Sequence, residues 1–176
     1  MCEICVRFGL AHAAAMAAAR LRRLTPEDAE EAAAVIRKAF AAQDYRTDPP
    51  SSALKETARS LAAHLAVDGG FALQCDGGIV ALVLTERRPD CLYVRRLCVL
   101  PEFRSTGAGV RLVHASEEEA RRLGFSELEV HIRVSLAGNR AFFAKLGFVE
   151  TGVGQHEGFD AVTFVIARKK VSAVTE

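Results

Sequence analysis

The sequence predicts a mixed α/β domain, a sheet with helices on both faces, in the order β-α-α-β-β-β-α-β-α-β-β. Three observations predict it. Apolar residues recur at helical spacing in four segments and in short or alternating runs in seven others. Glycines and prolines punctuate the joins between these segments. Half of the 176 residues are hydrophobic and no internal repeat is present, which suits one domain with its own core.

The folded part opens with a short strand, Arg20 to Leu24. Thr25 is a good N-cap, Pro26 fits the first helical position and Asp28 completes capping-box spacing. The helix they start runs to about Ala42 and buries Ala29, Ala33, Ile36 and Phe40. A polar loop, AQDYRTDPPSS, ends in prolines; a second helix, about Ser52 to Val67, turns Leu54, Ala58, Leu61 and Leu65 to one face, and DGG at 68–70 breaks it. Strand 71–75, the turn Asp76-Gly77-Gly78 and strand 79–87 form a hairpin. CLYVRRLCVL is the next strand, ending at Pro101. A helix over 108–123 closes at Gly124, and SELEVHIRV alternates with Leu128, Val130, Ile132 and Val134 on one side. A short helix, about 138–146, stops at Gly147, and FVETGVG and FDAVTFVIAR finish the sheet.

Lys plus Arg total 23 against 22 for Asp plus Glu, so the charge balance carries no nucleic-acid footprint. No run reaches the roughly 18 apolar residues of a membrane span. Of the five cysteines, Cys75, Cys91 and Cys98 fall in apolar, strand-like runs, which points to reduced thiols and a cytoplasmic protein. Cys2 and Cys5 form a C-x-x-C with only His12 nearby, short of the four ligands of a structural zinc site, so no metal is expected. Residues 1–19, with Glu3 among the first few and Met16 before AAARLRRL, read as a flexible or helical extension, or as sequence upstream of the start codon, and residues 172–176 as a tail.

The chemistry gathers at PEFRSTGAGVRL, residues 101–112. A helix entered there has four amides without intrahelical partners and the positive end of its dipole. Gly107 and Gly109 let backbone approach a bulky anion, and Arg104, Ser105 and Thr106 bring side-chain donors. A P-loop is excluded because no lysine follows Gly109, and a dinucleotide loop because Leu112 stands where its last glycine would be. What remains is a pyrophosphate cradle, or a plain strand-to-helix turn.

The stretch LCVLPEFRSTGAGVRLVHASEEEARRLGF resembles the central motif of the GNAT superfamily of N-acetyltransferases, and GNRAFFAKLGF resembles its last motif. The likeness covers residues 20–171 and implies a GNAT-like acyl-CoA N-acyltransferase fold with acetyl-CoA as cofactor. It implies that Arg104, Ser105, Thr106, Gly107, Ala108, Gly109 and Val110 bind the pyrophosphate. It also implies that the backbone at Cys98 and Val99 pairs with the pantetheine arm, and that Asn139, Phe142 and Phe143 lie along it. The acceptor would be a primary amine of a small molecule or peptide: a polyamine, an amino-acid amine, an aminoglycoside or a protein N-terminus. Pairing through sheet edges, as a homodimer, is compatible with the resemblance.

The family pattern is broken in two places. Phe143 stands where many members carry a tyrosine acid, and Arg95 and Arg96 stand where some carry a carboxylate base. The candidate bases are therefore Glu129 and His131, on a polar row that includes Arg133, together with Glu86 and His156. The acceptor pocket is expected from the loop holding Asp44, Tyr45 and Asp48 and the segment near His156. Two other functions compete: a catalytically silent acetyl-CoA-binding module, which the missing tyrosine favours, and a nucleotide-binding protein, which the missing P-loop lysine disfavours.

Overall fold

In the computed structural model, which describes residues 14–43 and 47–171, seven strands form one sheet in the order β1-β2-β3-β4-β5-β7-β6. The strands are β1 Arg20–Arg23, β2 Gly69–Cys75, β3 Gly78–Arg87, β4 Leu92–Val99, β5 Glu127–Arg133, β6 Val149–Gly154 and β7 Phe164–Lys170. The helices are α1 Ala29–Ala41, α2 Ala58–Val67, α3 Ala108–Leu123 and α4 Ala137–Lys145. The order of elements is the one the sequence predicts.

Each face of the sheet carries its own core. On one face α1 and α2 bury Ile36 and Leu61 against Leu82 and Leu84 of β3. On the other, α3 and α4 bury Leu112, Val113 and Phe143 against Val83 and Leu128. Each leucine so enclosed contributes about 1.5–3 kcal/mol of transfer free energy. The last residues of the N-terminal extension join the second core: 14–18 are helical, Met16 is buried, and Arg111 donates to the carbonyls of Met16 and Ala19 at 2.8 Å each.

The structure corrects several local expectations. Thr25 and Asp28 do meet, with Thr25 N donating to Asp28 Oδ2 at 2.8 Å, but Pro26–Asp28 form a 3-10 turn before α1. The second helix is two pieces, because Glu56 is extended: a 3-10 turn Ser52–Lys55, then α2 capped by Thr57. The break rotates Leu54 and Ala58 to solvent and buries Ala53 instead. Gly69 and Gly70 do not merely end the helix but begin β2. The hairpin loop is the pair Asp76-Gly77, both at positive φ. Val134 lies past the end of β5 and is 37% exposed. The last strand starts only at Phe164, and 155–163 is a loop that accompanies it. Cys91 and Cys98 are buried free thiols, whereas Cys75 is half-exposed.

One irregularity positions everything that follows. Leu82 pairs with Cys98 and Leu84 with Arg95, so Arg96 and Leu97 of β4 lie opposite the single residue Val83. This β-bulge puts Arg96 at φ +55°, in the left-handed region. On its other side β4 pairs in parallel with β5 only through Leu92, Tyr93 and Val94. Beyond them the two strands part, and a wedge opens in the middle of the sheet.

Candidate active site

A cavity of about 530 Å³ runs from that wedge to the start of α3. Its floor is built from main chain. Gly107 precedes the helix at φ +85°, no side chain caps it, and no acidic residue occupies the first turn. The amides of Ala108, Gly109 and Val110 thus meet the cavity without intrahelical partners. A Cβ on Gly107 would find nothing within 4 Å, so the glycine is required by its left-handed backbone and faces open space. Gly109 has a different reason: a Cβ there would stand 3.2 Å from Cζ of Phe142. Its smallness lets α4 close on α3.

Two of the expected side-chain donors are spent elsewhere. Arg104 donates to the carbonyls of Ala39 and Ala42 at 2.9 and 3.1 Å, closing the C-terminus of α1, although its stem still lines the cavity. The Thr106 hydroxyl donates to Phe103 O at 2.6 Å and does not line it. Ser105 does, at φ +63°. Further along, Cys98 and Val99 present the unpaired edge of β4, with Asn139, Phe142 and Phe143 opposite.

A second cavity, of about 390 Å³, opens on the other side of the wedge. The two share Leu97, Asn139 and Phe143, so they meet at the bulge. The character of the second is set by charged side chains: Glu86, Arg88, Arg95, Arg96, Arg133, His131 and His156 line it, with Tyr93. An open strand edge, an uncapped helix start and a polar chamber thus converge on one point.

The family model for the GNAT acetyltransferases matches residues 36–148, more than half of the chain. The chain belongs to the GNAT acetyltransferase family. Solved structures share the fold at low identity. The ribosomal-protein-S18-alanine N-acetyltransferase of Escherichia coli is 19% identical with a TM-score of 0.69, over 90% of this chain and 97% of that one. The PaiA N-acetyltransferase of Thermoplasma acidophilum, solved with coenzyme A, is 20% identical with a TM-score of 0.71, over 86% and 98%. A GCN5-related protein of Rhodopseudomonas palustris is 22% identical with a TM-score of 0.70, over 86% and 95%. No curated protein matches the sequence.

Within this GNAT site the four candidate bases fare differently. Glu129 is buried and fully engaged: Arg88 Nη1 reaches it at 2.5 Å, Arg168 Nη2 at 2.6 Å and His131 Nε2 at 3.0 Å. It does not line either chamber, and holds the ring of His131 in place. His131 itself is stacked on Phe164 at 4.7 Å and tilted against Tyr93 at 4.8 Å. Burial pushes its imidazole below the usual range, against the pull of Glu129. Glu86 lines the chamber but receives Arg95 at 3.3 Å and Arg88 at 3.5 Å.

Among the described residues no hydrogen-bond partner stands at Nε2 of His156. Its Nδ1 lies 2.5 Å from Thr163 Oγ1, which also accepts from His156 N at 2.9 Å, and the ring packs edge-on to Phe164 at 5.3 Å. The Thr163 contact serves either tautomer: Nδ1–H directed to Thr163 leaves Nε2 as the acceptor, whereas the Arg133 N–H aimed at Nδ1 goes with Nε2–H. Burial, and then the guanidinium of Arg133 at 3.4 Å from Nδ1, push the imidazole below its usual value and keep it neutral.

Arg95 and Arg96 line the second chamber and not the first. Arg96 donates to Glu56 at 2.8 Å and Ser52 at 2.9 Å, and Arg95 reaches Glu56 at 3.5 Å. Asp44, Tyr45, Cys2, Cys5 and residues 172–176 lie outside the described residues. Glu56, Arg88, Tyr93 and Thr163 were not singled out from the sequence. They come from three separate segments with no shared motif, and only the hairpin β3–β4 brings Arg88 over the Tyr93 ring, 3.6 Å from its centroid. No helix among the described residues is long and apolar enough to cross a membrane.

Proposed function

We propose that this protein moves the acetyl group of acetyl-CoA to a primary amine by direct attack. The observation that carries the reading is the convergence at the bulge: a cavity shaped for an extended diphosphate-bearing arm meets a polar chamber at Leu97, Asn139 and Phe143. The cofactor, when bound, supplies a thioester carbonyl. The amides of Gly107 to Val110 would hold its diphosphate, and Cys98 and Val99 would pair with its arm as an added strand, with Asn139 and Phe142 opposite. The fit is chemical: free donors at a positive helix end, and an unpaired strand edge of matching direction.

The chain's main work is then placement, which supplies on the order of 7–11 kcal/mol when reacting atoms are held in line. The acceptor amine must lose a proton, since a free alkylamine with a pKa of about 10.4 is nearly all ammonium at neutral pH. His156 is suited to accept it in its Nδ1–H tautomer: neutral, in contact with Thr163, and on the chamber wall. Amides on the open edge of β4 are available to polarise the carbonyl. No hydroxyl stands at Phe143, so the sulfur would depart as thiolate, tolerable for a thiol with a pKa of about 8.5. The buried free thiols Cys91 and Cys98 agree with a cytoplasmic setting.

Calorimetry with coenzyme A, followed by thiol release in the presence of amines, tests the reading. Micromolar binding and amine-dependent thiol release are expected. No binding to the folded chain would overturn it. The absence of a tyrosine at Phe143 favours one rival, a silent acetyl-CoA sensor, for which binding without release of thiol by any amine is the expected result.

A further inference from the structure

Four arginines line the chamber proposed for the acceptor, an odd wall for a site that must take an amine. Three are paired with glutamates. Arg88 pairs with Glu129 and Glu86, Arg95 with Glu86 and Glu56, and Arg96 with Glu56. Arg133 is not. Its guanidinium donates to Pro49 O at 2.8 Å, touches Asp48 O at 3.4 Å and lies 3.4 Å from His156 Nδ1. These partners are neutral. Asp48 acts on it only through space, and no carboxylate among the described residues forms an ion pair with it.

We infer that the acceptor is a primary amine that also carries a carboxylate, an amino acid being the simplest case, and that Arg133 holds that carboxylate. The inference rests on the acetyltransferase reading and narrows its substrate. A guanidinium half withdrawn from water, with N–H groups left over after binding two carbonyls, is a fork of the right shape for a planar two-oxygen anion. Burial lowers its affinity for the proton, the mark of a charge that lacks its counter-ion. The same excess of positive charge serves the chemistry. It disfavours ammonium over free amine beside His156, so the weak basicity of a neutral imidazole suffices. A purely cationic acceptor such as a polyamine would be repelled by that wall. An amino carboxylate repays the repulsion at its other end.

The test compares amino acids with their carboxamides and with phosphate-bearing amines, on the wild type and on Arg133→Gln and Arg133→Lys. Turnover is read by thiol release, and binding by calorimetry on the coenzyme A complex. The free acids should exceed their amides by at least about tenfold in kcat/KM and in affinity. Arg133→Gln should erase that preference, bringing the acids down to the level of the amides in both kcat/KM and affinity. Arg133→Lys, which keeps charge but loses the fork, should restore it in part. A purely structural role for Arg133 as a clasp on Asp48 and Pro49 would lower acids and amides in the same proportion and leave the preference intact, and that outcome overturns the inference. So does equal use of acids and amides, or a preference for phosphate-bearing amines. If no amine is turned over, the acetyltransferase reading fails, while the binding arm still decides whether Arg133 selects a carboxylate.

Discussion

The two chambers that meet at the bulge are built on opposite principles. In the first, the working groups are main-chain amides and a strand edge, and the side chains mostly step aside: Gly107 faces open space and Arg104 turns back to cap α1. In the second, four arginines line the wall, tied to Glu86 in the chamber and to Glu56 and Glu129 outside its lining, with Arg133 apart from these pairs. On the proposed function, main-chain donors would hold the cofactor. On the same proposal, side-chain charges would select the acceptor. A backbone site tolerates many side chains around it but few changes of conformation, whereas a charge lattice tolerates little loss of any one member.

The difference can be broken at either end. The largest effect is expected in the lattice. Removing Glu129, 4% exposed between Arg88, Arg168 and His131, takes away their shared buried partner and leaves Arg88 with Glu86 and Arg168 with Asp90 and Glu127. Glu129→Ala should cost about 1–3 kcal/mol of folding stability, read by chemical denaturation. A loss well under that range would mean water already screens the network. Next comes the cradle. Gly107→Glu forces a side chain into φ +85° and sets an anion at the helix start. Strain of about 1–2 kcal/mol plus charge repulsion should weaken coenzyme A binding by more than about tenfold with folding largely kept. Undiminished affinity in calorimetry would count against main-chain recognition.

A subtler contrast concerns protons. The imidazole of His156 sits below its ordinary pKa, through burial and then Arg133, so it is unprotonated at neutral pH and gains a proton only in more acidic solution. Turnover should hold as pH falls to about 6.5 and decline below it, and His156→Ala should lower the neutral rate and remove that acidic limb. An unchanged pH profile would assign the proton to another group. The smallest change is expected where the chambers touch. Phe143→Tyr restores a hydroxyl at the shared wall, and kcat should stay within a few-fold if thiolate leaves unaided. A large rise would show that the acid is the missing part.

These contrasts also follow what could be read in advance. PEFRSTGAGVRL exposed the cradle because the conformation of a glycine-rich helix entry depends on residues close together in sequence. The burial of Glu129 was not legible. Alternation along β5 set it on a polar row with His131 and Arg133, and only β7 and the turn after β3 supply Arg168 and Arg88 to enclose it. Likewise Leu54 fits the helical period, yet the extended Glu56 breaks the phase and leaves it 43% exposed.

By itself the sequence determined the order of elements, the two faces of the sheet and the helix start that can hold an anion. All of these rest on periodicity and on local backbone preference, which act over a few residues. The tertiary structure alone decided that Arg104 and Thr106 serve the scaffold and that three arginines of the second chamber are matched by glutamates while Arg133 is not. Charges interact through space across dozens of residues of chain, so their balance exists only once the sheet has brought them together.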